Sequence, residues 1–399
     1  MPPNDDCAAD KRSASGADCA RPGTGLRPRR PVRRPRRSEP VDAAATPQET
    51  PSIDEQLDRA ETCSRSGRID EAVAICNALR ASLIAHGDDP QSIGWCDFVL
   101  SLSHLNAGRA KESVIAGYRA TAALAPGTRL LRSLVVLASA VARTGDAAGA
   151  LELLERAKRQ LPLVQSPRDR CLFWVNSGST YHALGDLAQA VRHSTLAEGL
   201  LGQFEDTYLH SAVKMNLLVQ RLGLAVADCN GVETPELTEL LAAFSSQVER
   251  LVAAGQHYPV AKGSEDIADA YIALGQFEQA RAALQIGVKS ADAAKAGPDR
   301  GILELRLGRI ERLAGQYRRA SAHIGLALEL LAESELLKEL AEAHLENSLL
   351  NEERQHWRAA LDSYRQSAQI RERLLIAQSD ARAHALTVRL ELGRDRDDA

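Results

Sequence analysis

One short phrase returns along the whole chain: a glycine closes one helical stretch, and five residues later a small side chain sits inside the next. It reads Gly67 to Ala72, Gly108 to Ser113, Gly145 to Ala150, Gly185 to Ala190, Gly275 to Ala280 and Gly315 to Ala320, and Gln355 replaces the glycine ahead of Ala360. The intervals between successive turns are 41, 37, 40, 90, 40 and 40 residues, and a weak copy at Gly223 divides the long one. A fixed period of this size marks stacked supersecondary units. Glycine can take the left-handed conformation that ends a helix, so at each copy the chain doubles back. Antiparallel helices approach closely only where side chains are small, which places Ala72, Ala150, Ala190, Ala280, Ala320 and Ala360 at the crossings. Phe277, Tyr317 and Trp357 are expected to fill the space beside them. Between turns, Leu303, Leu307 and Ile310 fall at helical spacing, and no strand pattern competes.

Only 4% of residues are aromatic while 44% are apolar, so the core is built mainly from Ala, Leu and Val, which favours close-packed helices. Trp174, Gly178, Tyr181, Leu184, Gly185, Ala190 and Ala197 make one complete unit, and Ile267, Ala268, Tyr271, Leu274, Gly275, Phe277, Ala280 and Leu284 make a second. At these spacings the chain resembles the tetratricopeptide repeat family. The resemblance implies an all-α fold: a right-handed superhelical solenoid of antiparallel helix hairpins, seven or eight units over residues 51–370. The units here are near 40 residues, against about 34 in the family, which implies longer helices or loops. The unit at Gly223 has Asp228 where a small residue belongs, so its second helix is expected at 235–254. Stacked hairpins present a concave surface. Family resemblance makes that surface a groove for a protein or peptide and implies a non-enzymatic scaffold with a regulatory role.

Residues 1–50 hold almost no large apolar side chain and are expected to be a disordered tail. Within it Arg21, Arg27, Arg29, Arg30, Arg33, Arg34, Arg36 and Arg37 form a cationic run interleaved with prolines. Such a run can hold a weak anionic partner, and a nucleic-acid-associated factor is the alternative reading. No aromatic is interleaved for base stacking, and beyond residue 50 the charge balance turns acidic. The seven cysteines are odd in number and form no C-x-x-C pair, as expected of reduced thiols. The longest apolar stretch, residues 133–142, is half the ~20 residues a membrane span needs. A cytoplasmic location is expected.

No phosphate-binding loop, dinucleotide fingerprint, metalloprotease motif or nucleophile elbow occurs, so no catalytic, cofactor or metal residue is assigned. His182, His193, His344 and His356 read as surface or packing residues. For the groove, Arg306, Arg309 and Arg312 step along one helix side, with Glu265, Asp266 and Asp269 before them and Glu342 and Glu346 after. The stripe is either an ion-pair ladder between repeats or a binding stripe for an acidic peptide or phosphate. Asn176, Ser179, Lys214 and Arg221 form a second candidate patch. Residues 371–399 continue the last repeat as a capping or linker helix. There Leu374, Gln378, Ala381, Ala385, Val388 and Leu392 make a thin heptad-like seam through which the chain is expected to cap itself or form a homodimer. This segment is similar to the one that follows the repeats in the sensory half of bacterial GGDEF diguanylate cyclases. No GGDEF motif is present, and cyclase activity is not carried over.

Overall fold

A computed structural model describes residues 51–87, 89–229, 231–334 and 336–397, with Arg382, Ala383 and Thr387 the only side chains described beyond residue 380. The arginine-rich segment and its expected disorder lie outside these residues. The described residues form sixteen α-helices and no strand.

The helices pair as eight hairpins: α1 (Ile53–Arg65) with α2 (Ile69–His86), α3 (Pro90–Asn106) with α4 (Ala110–Ala123), α5 (Thr128–Arg143) with α6 (Ala147–Lys158), and α7 (Pro167–Ala183) with α8 (Leu187–Glu198). The series continues with α9 (Thr207–Asp228) and α10 (Pro235–Ala253), α11 (His257–Ala273) and α12 (Phe277–Ala294), α13 (Gly297–Leu313) and α14 (Tyr317–Ala332), and α15 (Leu337–Glu353) and α16 (Trp357–Asp397). Helices begin where the sequence favours a start. Ser52 and Glu55 form a reciprocal capping box, and Asp146, Asp186 and Asp206 each accept a hydrogen bond from the third residue beyond.

The turns are built as the recurring phrase requires. Gly67, Gly108, Gly145, Gly185, Gly275 and Gly315 have φ between +70° and +83°, and Gln355 adopts the same region at +62°. The residue after each glycine donates back into the preceding helix, as Asp186 does to the Tyr181 carbonyl at 3.0 Å. Gly223 is different: it lies within α9, and the chain turns at Gly231 (φ +78°) instead. The second helix of that unit does start at Pro235. A further turn of the same build, Gly255 (φ +69°) with Gln256 donating to Leu251, joins α10 to α11.

The crossing alanines are buried, from 0% exposed at Ala72, Ala150, Ala190, Ala280 and Ala320 to 8% at Ala360. At the α7–α8 crossing Gly178 is buried, and a Cβ there would stand 2.5 Å from Ser194 Oγ. Trp174 and Tyr181 both set their rings edge-on to His193, which makes that histidine a packing residue. Tyr271 packs partly buried between two cores. Of the three aromatics after the turns, only Phe277 packs against the core. Tyr317 is 37% exposed and Trp357 63%.

The first helices of successive hairpins, α1 through α15, touch one another in order. They therefore line the inner side of the array. Its curvature brings distant parts together: α16 packs on α4, and the Gly108 turn meets Leu336 just before α15.

Candidate functional site

The inner helices enclose a cavity of about 350 Å³ lined from α1, α3, α5, α7, α9 and α11. Its wall is apolar where the hairpin cores reach inward, with Phe98, Leu102, Val135, Leu172 and Phe173. Polar groups stand at intervals along it: Asn106, Ser139, Asn176, Ser179 and Asn216. Asn216 Nδ2 donates to Ser179 Oγ at 3.2 Å, and Asn106 Nδ2 to the Ser64 carbonyl at 3.3 Å. The Asn176 side-chain amide has no hydrogen-bond partner among the described residues and keeps its full donor and acceptor capacity.

Three cations belong to the same wall. Arg132 pairs with Glu61 and stacks over the Trp95 and Phe98 rings at 4.9 and 5.1 Å. Arg65 also pairs with Glu61. Arg143 donates to the Leu105 carbonyl at 2.9 Å, and burial lowers its pKa from the usual guanidinium value. Tyr208 and Tyr258 complete the rim, both with hydroxyl pKa values raised by burial.

Further along the inner side lies the arginine stripe. Arg306 is bridged to Glu265 (2.8 Å) and Asp269 (3.3 Å) on α11 and to Glu342 (2.6 Å) on α15. Arg309 lies 3.7 Å from Glu342 and 3.5 Å from Glu346, and Arg312 pairs with Glu346 and Glu353. Burial alone would lower the Arg306 pKa, but the surrounding carboxylates more than reverse this and hold it above the ordinary value. Five carboxylates meet three guanidinium groups, so the stripe is an ion-pair ladder between hairpins and leaves little positive field for an acidic ligand. Asp266, in the same region, is pushed up to about 7 by desolvation and by Glu265 and Asp269.

The fold is tetratricopeptide-like. No family model and no curated protein matches the chain. Among solved structures it is similar to a Rap protein complexed with Competence and Sporulation Factor, at 11% identity over 82% of this chain and 99% of that one, with a TM-score of 0.47. It is similar to NprR in complex with its cognate peptide NprX, at 14% identity over 66% and 73% of the two chains and a TM-score of 0.45. The human IFIT1 dimer with PPP-AAAA is a third, at 11% identity, 80% and 73% coverage and a TM-score of 0.49.

Within this tetratricopeptide-like array only part of the second candidate patch comes together. Asn176 and Ser179 line the cavity. Lys214 and Arg221 are exposed on another side of α9: a two-residue offset from the cavity-lining Ala212 and Asn216 rotates a helical position by about 200°. Asn106, Arg132, Arg143 and Asn216 are cavity residues that the reading of the sequence missed. Projecting α3, α5 and α9 as α13 was projected would have singled them out. Of the heptad-like seam, only Leu374 and Gln378 have described side chains. Leu374 and Gln378 are half-buried, in line with Ala360, Ser363, Ser367 and Ile370 on the face that packs within the chain, and α16 lies on α4. Ala381, Ala385, Val388 and Leu392 have side chains outside the described set. Among the described residues no helix is long and apolar enough to cross a membrane.

Proposed function

We propose that this chain is a non-enzymatic scaffold that takes an extended peptide, or a peptide segment of a protein partner, into the cavity formed by α1 to α11, in a regulatory role. The observation that carries the reading is the unpartnered amide of Asn176 between apolar walls, with Asn106 and Asn216 on neighbouring inner helices. An amide offers a donor and an acceptor together, which matches the main chain of an extended peptide independently of its sequence. The apolar pockets beside it would select side chains. Arg65 and Arg143 add sites for a carboxylate.

The test is selection of binders from a displayed random-peptide library, followed by affinity measurement on purified variants. Asn176→Ala and Asn216→Ala together are expected to weaken a selected peptide at least tenfold, about 1.4 kcal/mol, in a chain that stays folded at the temperature of the measurement, with Asn176→Ala alone leaving the unfolding midpoint unchanged. Peptides that bind the double variant as well as the parent would refute the reading. The arginine run beginning at Arg21 carries the nucleic-acid reading, which predicts that deleting residues 1–50 removes a salt-sensitive affinity for DNA or RNA while leaving peptide capture intact. On the likeness of the last segment to cyclase sensory halves, the bound peptide is a signal rather than cargo.

A further inference from the structure

Positions Leu284, Ile324 and Tyr364 are equivalent in the 40-residue register of the last three hairpins. Leu284 is 0% exposed and packs with Leu303, Leu307 and Ile310 of α13. Ile324 is 0% exposed and packs with Leu350 of α15. Tyr364 is 53% exposed, and no described helix packs over it. One turn earlier the register aligns Arg281 with Leu361; Arg281 reaches Glu311 of α13 at 2.7 Å, whereas Leu361 faces solvent. The surface that stacks α12 on α13 and α14 on α15 is thus repeated on α16 without its partner.

We infer that this surface is a homodimer interface, in which α16 of two copies pair antiparallel through Trp357, Leu361, Tyr364, Ala368 and Leu375. These residues step by four, three, four and seven and so share one side of the helix. An adjacent side, about 110° round the helix, with Ala360, Ser363, Ser367 and Ile370, is buried within the chain. Of the large apolar side chains that stand exposed among the described residues, α16 carries five, and no other element carries more than one. The two ends of the array are therefore unlike. The outer side of α1 is polar, with Asp54, Asp58 and Arg59 exposed, as a solvated terminal repeat should be. A head-to-tail contact would bury those charges under Trp357 and Tyr364. Among the described residues, only a second α16 offers a matching apolar stripe. A two-fold axis near Ala368 sets Leu361 against the second copy's Leu375 and Arg365 beside its Glu372, and the reciprocal contacts follow from symmetry.

Sedimentation equilibrium or light scattering of the full chain over a range of concentrations tests this. The mass is expected to rise to that of two chains. Leu361→Glu and Tyr364→Glu should each weaken the dimer at least tenfold without changing the helical signal or the unfolding midpoint of the monomer, since both sites are exposed. Leu163→Glu, exposed elsewhere at 56%, should leave it intact. In a chain carrying Cys7→Ser and Cys19→Ser, Ala368→Cys should give an oxidised dimer linked to its own copy. A monomer at all concentrations overturns the inference, and so does a dimer that survives both glutamate substitutions or, with Ala368→Cys, fails to become linked under oxidation.

Discussion

The guanidinium of Arg382 donates to the main-chain carbonyl of Thr144 over 2.9 Å, so the last helix holds the turn of the third hairpin across 238 residues of sequence. The next residue, Gly145, leaves room for that approach: a Cβ there would come within 2.5 Å of Arg382 Nη2. Arg382→Ala is expected to lower stability by about 1 kcal/mol, the usual net worth of such a bond near solvent. Urea unfolding of the variant checks it, and an unchanged midpoint would mean that α16 does not make this contact in solution.

Two glycines of one hairpin should respond to substitution for different reasons. At Gly178 an added side chain meets Ser194 Oγ at 2.5 Å and the Ala190 carbonyl at 3.1 Å, so Gly178→Val should cost ~1–3 kcal/mol by overpacking. Gly185 has open space around it but a φ of +83°, so Gly185→Ala should cost roughly 1–2 kcal/mol through the backbone alone. At Gly178, Ala should be milder than Val; at Gly185 the first methyl already carries most of the loss. Thermal melts of the four variants separate the two mechanisms.

Removing Arg306 leaves Glu265, Asp269 and Glu342 close together without their shared cation. Arg306→Ala should therefore destabilise by about 3 kcal/mol, as when one partner of a buried ion pair is removed. Lysine should recover little of this because a single ammonium cannot span three carboxylates. Peptide affinity measured at a temperature where the variant remains folded should be unchanged, since the ladder is not part of the cavity wall.

Asp266 gives the pH dependence a definite sign. Its folded pKa of about 7 lies above the ordinary 3.8, with desolvation the main cause, so the folded state holds a proton that the unfolded chain releases. Stability from this group falls as pH rises from about 4 through 7. Asp266→Asn should raise the melting temperature at pH 7.5, by an amount equivalent to at most ~4 kcal/mol, and leave it nearly unchanged at pH 4. An equal shift at both pH values would contradict the assignment.

Cys63, Cys76, Cys96, Cys171 and Cys229 are free and buried, and burial pushes the Cys76 and Cys96 thiols up to about 12 and Cys171 up to about 11. Thiolate is the reactive form. Maleimide labelling of the folded chain should therefore spare these five and reach them only in denaturant, as mass spectrometry of the peptides would show.

The local architecture was legible because its determinants are short-range. A glycine that must adopt positive φ, and an alanine five residues on at a helix crossing, need only the turn and the hairpin they belong to. Even the exception at Gln355 follows its register. Gly255 escaped because its turn is of the same build but falls 20 residues before Gly275, outside the period. Gly223 misled because a glycine within a helix and one at its end look alike until the left-handed conformation is seen.

By itself, the sequence determined the helical hairpins, their register and the small residues that let them stack, since these depend on backbone sterics and side-chain volume within one repeat. Tertiary structure decided which inner residues share a cavity, that the arginine stripe is spent on neighbouring carboxylates, and that α16 lies on α4. Those outcomes depend on how small rotations between hairpins accumulate along the array. They are set by packing at every interface at once, and no local pattern records their sum.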